Sequence, residues 1–128
     1  MPEPVLPTTA RVLLARADAA YRRTNGHSMS AAALAGFSGA WALFRYVLPA
    51  ADSLSPADVA AAARRTRVPA GSLPNGSGVQ FAPPGGADAG ANLRAASVIW
   101  EWTKVNQRQV TWPPQFATAP IAALRPTR

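Results

Sequence analysis

The sequence predicts a mixed α/β chain: three helices followed by short strands and a C-terminal hairpin. Three observations carry that prediction. Helix punctuation recurs at Asn25-Gly26, Ser30, Pro49 and Ser55-Pro56. Between Ala31 and Leu48, Leu34, Phe37, Trp41, Phe44 and Leu48 return every three or four positions, the spacing of one helical face. Beyond Gly76 the period falls to two, with Val98, Trp100 and Trp102 alternating against Ile99, Glu101 and Thr103.

The first helix is expected from a Thr8-Thr9 cap to about Arg23. Leu13, Ala17, Ala20 and Tyr21 form its apolar face, with Arg11, Arg16, Arg22 and Arg23 around the other. Asn25-Gly26 ends it, because both residues tolerate positive φ. Ser30 caps the second helix, Ala31 to Leu48, and Pro49 follows. Ala33, Gly36, Ala40, Leu43 and Val47 occupy the side opposite the large residues, so this helix is apolar nearly all round and needs cover on more than one side. The uncharged run from His27 to Phe44 is interrupted by serines and glycines and falls short of a membrane span. The expectation is a buried helix.

Ser55-Pro56-Ala57-Asp58 starts the third helix: a capping hydroxyl, proline at the first helical position and an acid in the first turn. It is expected to run to about Arg67. Arg64, Arg65 and Arg67 then stand at its C-terminal end, where cations offset the helix dipole. Ala70 to Ser77 reads as loop, Val79-Gln80-Phe81 as a short strand, and Pro83 to Gly90 as a bend. Ser97–Thr103 and Gln109–Trp112 form a hairpin turning at Val105-Asn106-Gln107-Arg108. Trp100, Trp102 and Trp112 are expected to meet across it as aromatic pairs.

The chain has 128 residues and a net charge of +7, which suits one domain and raises nucleic acid or an anionic surface as a partner. The arginines are spread from Arg11 to Arg128, however. Only Arg64, Arg65 and Arg67 cluster, without the interleaved aromatics of RNA-binding modules. With Cys 0, disulfides and thiolate metal sites are excluded. Met1-Pro2-Glu3-Pro4 has neither the basic nor the apolar region of a secretory signal. Acid–base candidates are few: His27, Glu101, Asp18, Asp52, Asp58 and Asp88. Their spacing fits no zinc site, triad or carboxylate pair, and Gly85-Gly86 with Gly90 lacks the Lys-Ser/Thr of a phosphate loop. No catalytic residue, metal ligand or cofactor is expected.

Three stretches in order resemble the solute-binding proteins of branched-chain amino acid ABC transporters, which have the type I periplasmic-binding fold. The first is Tyr21 at a helix end, then Ala35-Gly36-Phe37-Ser38-Gly39-Ala40-Trp41. The second is Gly76-Ser77-Gly78-Val79-Gln80-Phe81. The third is Gly90-Ala91-Asn92-Leu93, with Val98-Ile99-Trp100-Glu101-Trp102 and Val110-Thr111-Trp112-Pro113. Ala82 and Ala91 depart from the family's usual Asp and Gln, and Pro83-Pro84-Gly85-Gly86 lengthens the bend. The match covers roughly residues 10–119.

The resemblance implies the C-terminal part of a two-lobed protein that closes on an amino acid or similar small solute and presents it to a membrane permease outside the cytoplasm. It implies one ligand contact, Phe37, which without a phenol hydroxyl offers only apolar contact. It sets a domain at 8–119 between a disordered N-terminal tail, 1–7, and a C-terminal tail, 120–128. The family's parallel sheets need helices on both faces, whereas this chain has no strand–helix alternation. Burying the five large side chains of the second helix is worth roughly 10 kcal/mol at about 1.5–3 each, and the sheet to receive them is missing. The chain is therefore expected to be unstable alone, oligomeric, or completed by a polypeptide carrying the N-terminal lobes. A small basic interaction module and a nucleic-acid binder are the alternatives.

Overall fold

The computed structural model describes residues 6–105 and 107–122. Residues 1–5 of the expected N-terminal tail, Asn106 at the expected hairpin turn, and residues 123–128 of the expected C-terminal tail lie outside them. The element order is α1 (Thr8–Asn25), α2 (Ala31–Ala42), α3 (Pro56–Arg65), β1 (Ile99–Lys104) and β2 (Gln107–Trp112). The architecture is mixed α/β, three helices and one two-stranded antiparallel sheet.

Helix α1 starts one residue earlier than a threonine cap would set it. Pro7 is the N-cap and contributes no side-chain bond. Its carbonyl accepts the Arg11 N–H at 3.0 Å, so Thr8 and Thr9 lie inside the first turn. At the other end Gly26 takes φ 76° and its N–H reaches the Arg22 carbonyl. The buried face is turned from the expected one: Ala10 and Leu14 are its centre, and Ala20 is exposed. Leu6, Met29 and Leu34 close over that face, with Ala17, Tyr21, Ala33 and Phe37 packed around them. Packing contacts therefore begin before Thr8.

Ser30 caps α2 through the Ala33 N–H at 3.1 Å. The helix does not stop at Leu48. It widens into a π-turn over Leu43–Val47 and tightens into a 3-10 turn over Leu48–Ala50. The extra residue in the π-turn shifts the inward positions, so Leu34, Ser38, Ala42 and Val47 are buried. Of the expected stripe only Leu34 is buried, and Phe37 and Leu48 are half-buried. Phe44 is 69% exposed and Trp41 36%. Counted with both turns, Ala31–Ala50 has 20 residues and a mean hydropathy of 1.3, enough by length and composition to cross a membrane, and only 22% of its most apolar window is buried. The expectations of too short a run and of a buried helix are both corrected.

Helix α3 is capped as expected, with Ser55 Oγ accepting the Asp58 N–H at 3.2 Å. It ends at Arg65 rather than Arg67 and packs on the end of the long helix. From Val68 the chain winds through a second buried cluster of Ala42, Val68, Leu73 and Val79, with Tyr46 and Phe81 against it. Val79-Gln80-Phe81 does not become a strand of a sheet. It forms isolated antiparallel bridges, Val68 with Val79 and Phe81 with Asn92. In the hairpin, Ile99 lies opposite Trp112, Trp100 opposite Val110, and Trp102 opposite Arg108. No tryptophan is therefore directly across from another, because irregular register at both ends of β1 displaces the aligned pairs.

Candidate functional site

A groove of about 680 Å³ lies between the long helix, α3 and the loops from Leu73 to Ala96. Small residues make it. Ala35, Gly39 and Ala42 on α2 and Ala60 and Ala63 on α3 leave a trench, with Leu43, Val59, Val79 and Phe81 as larger walls. Its polar side chains are Ser38, Asn75, Ser77 and Asn92, whose oxygens accept backbone N–H groups. Ser38, 1% exposed, accepts the Asn75 N–H on Oγ at 3.2 Å. Asn75 Oδ1 accepts the Ser77 N–H at 3.1 Å, and Ser77 Oγ accepts the Ala96 N–H at 2.9 Å.

Asn92 is the organising residue of the loop layer. Its Oδ1 accepts the Gln80 N–H at 2.9 Å and the Arg94 N–H at 3.1 Å. Its Nδ2 donates to the Gly78 carbonyl at 2.9 Å. One side chain thus ties two separate segments together where the backbone makes only isolated bridges. Gly78 is needed beside it for space. A Cβ there would lie 2.5 Å from the Pro69 carbonyl oxygen and closer still to that of Val68. Among the described residues no buried side-chain nitrogen or oxygen lacks a partner.

The groove lining contains no ionisable side chain. It offers apolar contact and already-paired amides, which suits an apolar surface and supplies no acid, base or nucleophile. Phe37 lies off this groove. It is half-buried against α1 and stacks on Trp41, ring centres 6.0 Å apart at 26°. The two rings border a separate cleft of about 450 Å³ between α1 and α2.

His27, Glu101, Asp58 and Asp18 have local roles. His27 is exposed, edge-on to Tyr21 at 5.7 Å, and its Nδ1 donates to the Ser28 carbonyl at 2.9 Å. Glu101 accepts the Ala122 N–H at 3.0 Å. Asp58 accepts the Ser53 hydroxyl at 2.5 Å, and that bond with the Ser55 contact holds its carboxyl below the usual range. Asp18 ties α1 to the following loop. It accepts the Met29 N–H at 2.7 Å, Arg22 Nε at 2.7 Å and Ser28 Oγ at 3.3 Å. The Met29 bond first, then Arg22, lowers its pKa. Among the described residues no three His, Cys, Asp or Glu side chains gather as a metal site.

The basic cluster is turned onto backbone. Arg65 donates to the Ala50 carbonyl at 3.2 Å, and Arg67 to those of Arg64 and Thr66 at 2.6 and 2.8 Å. These bonds satisfy carbonyls at helix ends.

Sequence reading missed the bonding roles of Ser38, Asn75 and Asp18. A serine inside an apolar stripe was the available signal for Ser38, and Pro74-Asn75-Gly76 for an amide-led turn. For Asp18 the i,i+4 spacing to Arg22 was a signal, whereas its loop partners Ser28 and Met29 lie 10 and 11 residues away. No family model, curated protein or solved structure matches this chain.

Proposed function

We propose that this chain is the C-terminal part of a non-catalytic solute-binding component of an ABC uptake system for branched-chain amino acids or similar small solutes, acting outside the cytoplasm. One observation carries the reading. Parts of the three stretches on which the resemblance rests are far apart in sequence and contribute to one groove: Ala35, Ser38 and Gly39, then Ser77, Gly78, Val79 and Phe81, then Asn92, while Tyr21 and the hairpin residues 98–102 and 110–113 lie outside it. Their joint use of one surface supports a common ancestry for the motifs better than any of them alone. The absence of ionisable groups from the groove is in keeping with binding rather than catalysis.

On this reading the groove is a place where further polypeptide packs, since the helix beside it lacks a sheet. A chimera joining this chain behind the N-terminal lobes of a branched-chain amino acid-binding protein folds and binds such an amino acid in titration calorimetry, whereas this chain alone gives no binding heat. Micromolar binding by the isolated chain, or a chimera that does not fold, refutes the reading.

A further inference from the structure

On the side of α2 away from the groove, Phe37, Trp41 and Phe44 recur at i, i+4 and i+7 and form one aromatic stripe. Trp41 and Phe44 are open to solvent, Phe44 the more so, and Phe37 is half-buried against α1. Beside it α1 presents Leu13, Ala17 and Ala20, with Arg16 and Arg23 one above the other along the same cleft. Both arginines are exposed. Neither has a hydrogen bond or an ion pair among the described residues, where the one salt bridge joins Arg22 to Asp18. The cleft lining includes no acid, and Asp18 is engaged with Arg22, Ser28 and Met29.

We propose that this α1–α2 face docks on the surface of an anionic lipid bilayer, with Phe37, Trp41 and Phe44 at the headgroup–acyl boundary and Arg16 and Arg23 on lipid phosphates. Charge decides between the possible occupants. A second copy of this chain would bring like-charged faces together, in a protein whose net charge is +7. An anionic surface instead supplies the missing counter-charge. Aromatic side chains bordered by arginines are the composition that binds at a membrane interface through apolar area plus attraction to anionic headgroups. The groove that carries the proposed solute-binding role lies on the opposite side of the helix; the two readings share only Phe37, the ligand contact that the resemblance implies.

The test uses the full chain and sedimentation with vesicles of phosphatidylcholine, with and without phosphatidylglycerol. Binding is expected only to the phosphatidylglycerol vesicles and is released by high salt. The double variant R16Q/R23Q lowers partitioning about 30-fold, and Phe44→Ser about tenfold. Circular dichroism checks that each variant keeps its helix content, since all three positions are at the surface. Because the sequence has Cys 0, Ala40→Cys carries a single environment-sensitive fluorophore, whose emission shifts to the blue on binding. Equal binding to both vesicle types, no binding, or variants that bind like the parent overturns the proposal. Retention through a high-salt wash also overturns it, in favour of a spanning helix. Tighter binding to polyglutamate than to the anionic vesicles assigns the face to an acidic polypeptide instead.

Discussion

Replacing Gly78 by alanine tests how the loop layer is held against the helices. The backbone at Gly78 is not in the left-handed region, so the cost is steric rather than conformational. The new methyl group would lie 2.5 Å from the Pro69 carbonyl oxygen and 2.6 Å from its carbon, and closer to the Val68 oxygen. All three are backbone atoms, so relief requires the two segments to separate. Separation removes the paired Val68–Val79 bonds, each 2.9 Å, and loosens the Arg94 bond to the Val68 carbonyl, also 2.9 Å. Overpacking costs about 1–3 kcal/mol and two lost backbone bonds about 1 kcal/mol each. Reduced unfolded-state entropy returns about 0.5 kcal/mol. The expected net loss is about 3–4 kcal/mol, or a fall in melting temperature of about 15 °C. Urea and thermal unfolding followed by circular dichroism measure it. A Gly78→Ala protein within about 0.5 kcal/mol of the parent, the range of a neutral surface change, refutes the close approach of these two segments.

Gly36→Ala should have the opposite sign. Its Cβ meets nothing within 4 Å, so helix propensity alone stabilises the protein by about 0.5–1 kcal/mol in the same melts. Asn92→Ala removes three hydrogen bonds and leaves the Gln80 N–H and Gly78 carbonyl without partners. A loss of about 3 kcal/mol and faster amide exchange at Gln80 are expected, and unchanged exchange there would contradict its organising role. Asp18→Asn should lose about 1 kcal/mol at neutral pH. Because the folded-state pKa of Asp18 lies below 3.8, its contribution is fully present above the unfolded value and is lost as pH falls through the folded one. The stability difference between parent and variant should therefore hold from pH 7 to about pH 5 and shrink below 3.8. A difference that grows on acidification would disprove the assignment.

Much of the candidate site was legible only as isolated words. Gly76, Gly78, Asn92 and Ser38 stood inside the motifs, yet nothing in their order told that Asn92 reaches Gly78 and Gln80, 14 and 12 residues away. Ser38 meets Asn75 across 37 positions. Such bonds depend on where folded segments pass each other, which residue spacing does not encode. Phe37 illustrates the reverse: its helical position was clear, while its partners, Trp41 and α1, place it on the side away from the groove.

The sequence by itself determined the helix boundaries at Ser30, Ser55 and Gly26, because capping and left-handed turns involve atoms within about four residues. It also determined the mixed class and the hairpin, through the change of period beyond Gly76. Only the tertiary structure decided which side of the long helix is buried and that Val79-Gln80-Phe81 stays a bridge rather than a strand. It alone decided which residues the tryptophans face. A helix apolar on every side has no preferred inward face of its own, so its burial is set by neighbours arriving from distant parts of the chain. A strand exists only where a partner's backbone supplies its hydrogen bonds.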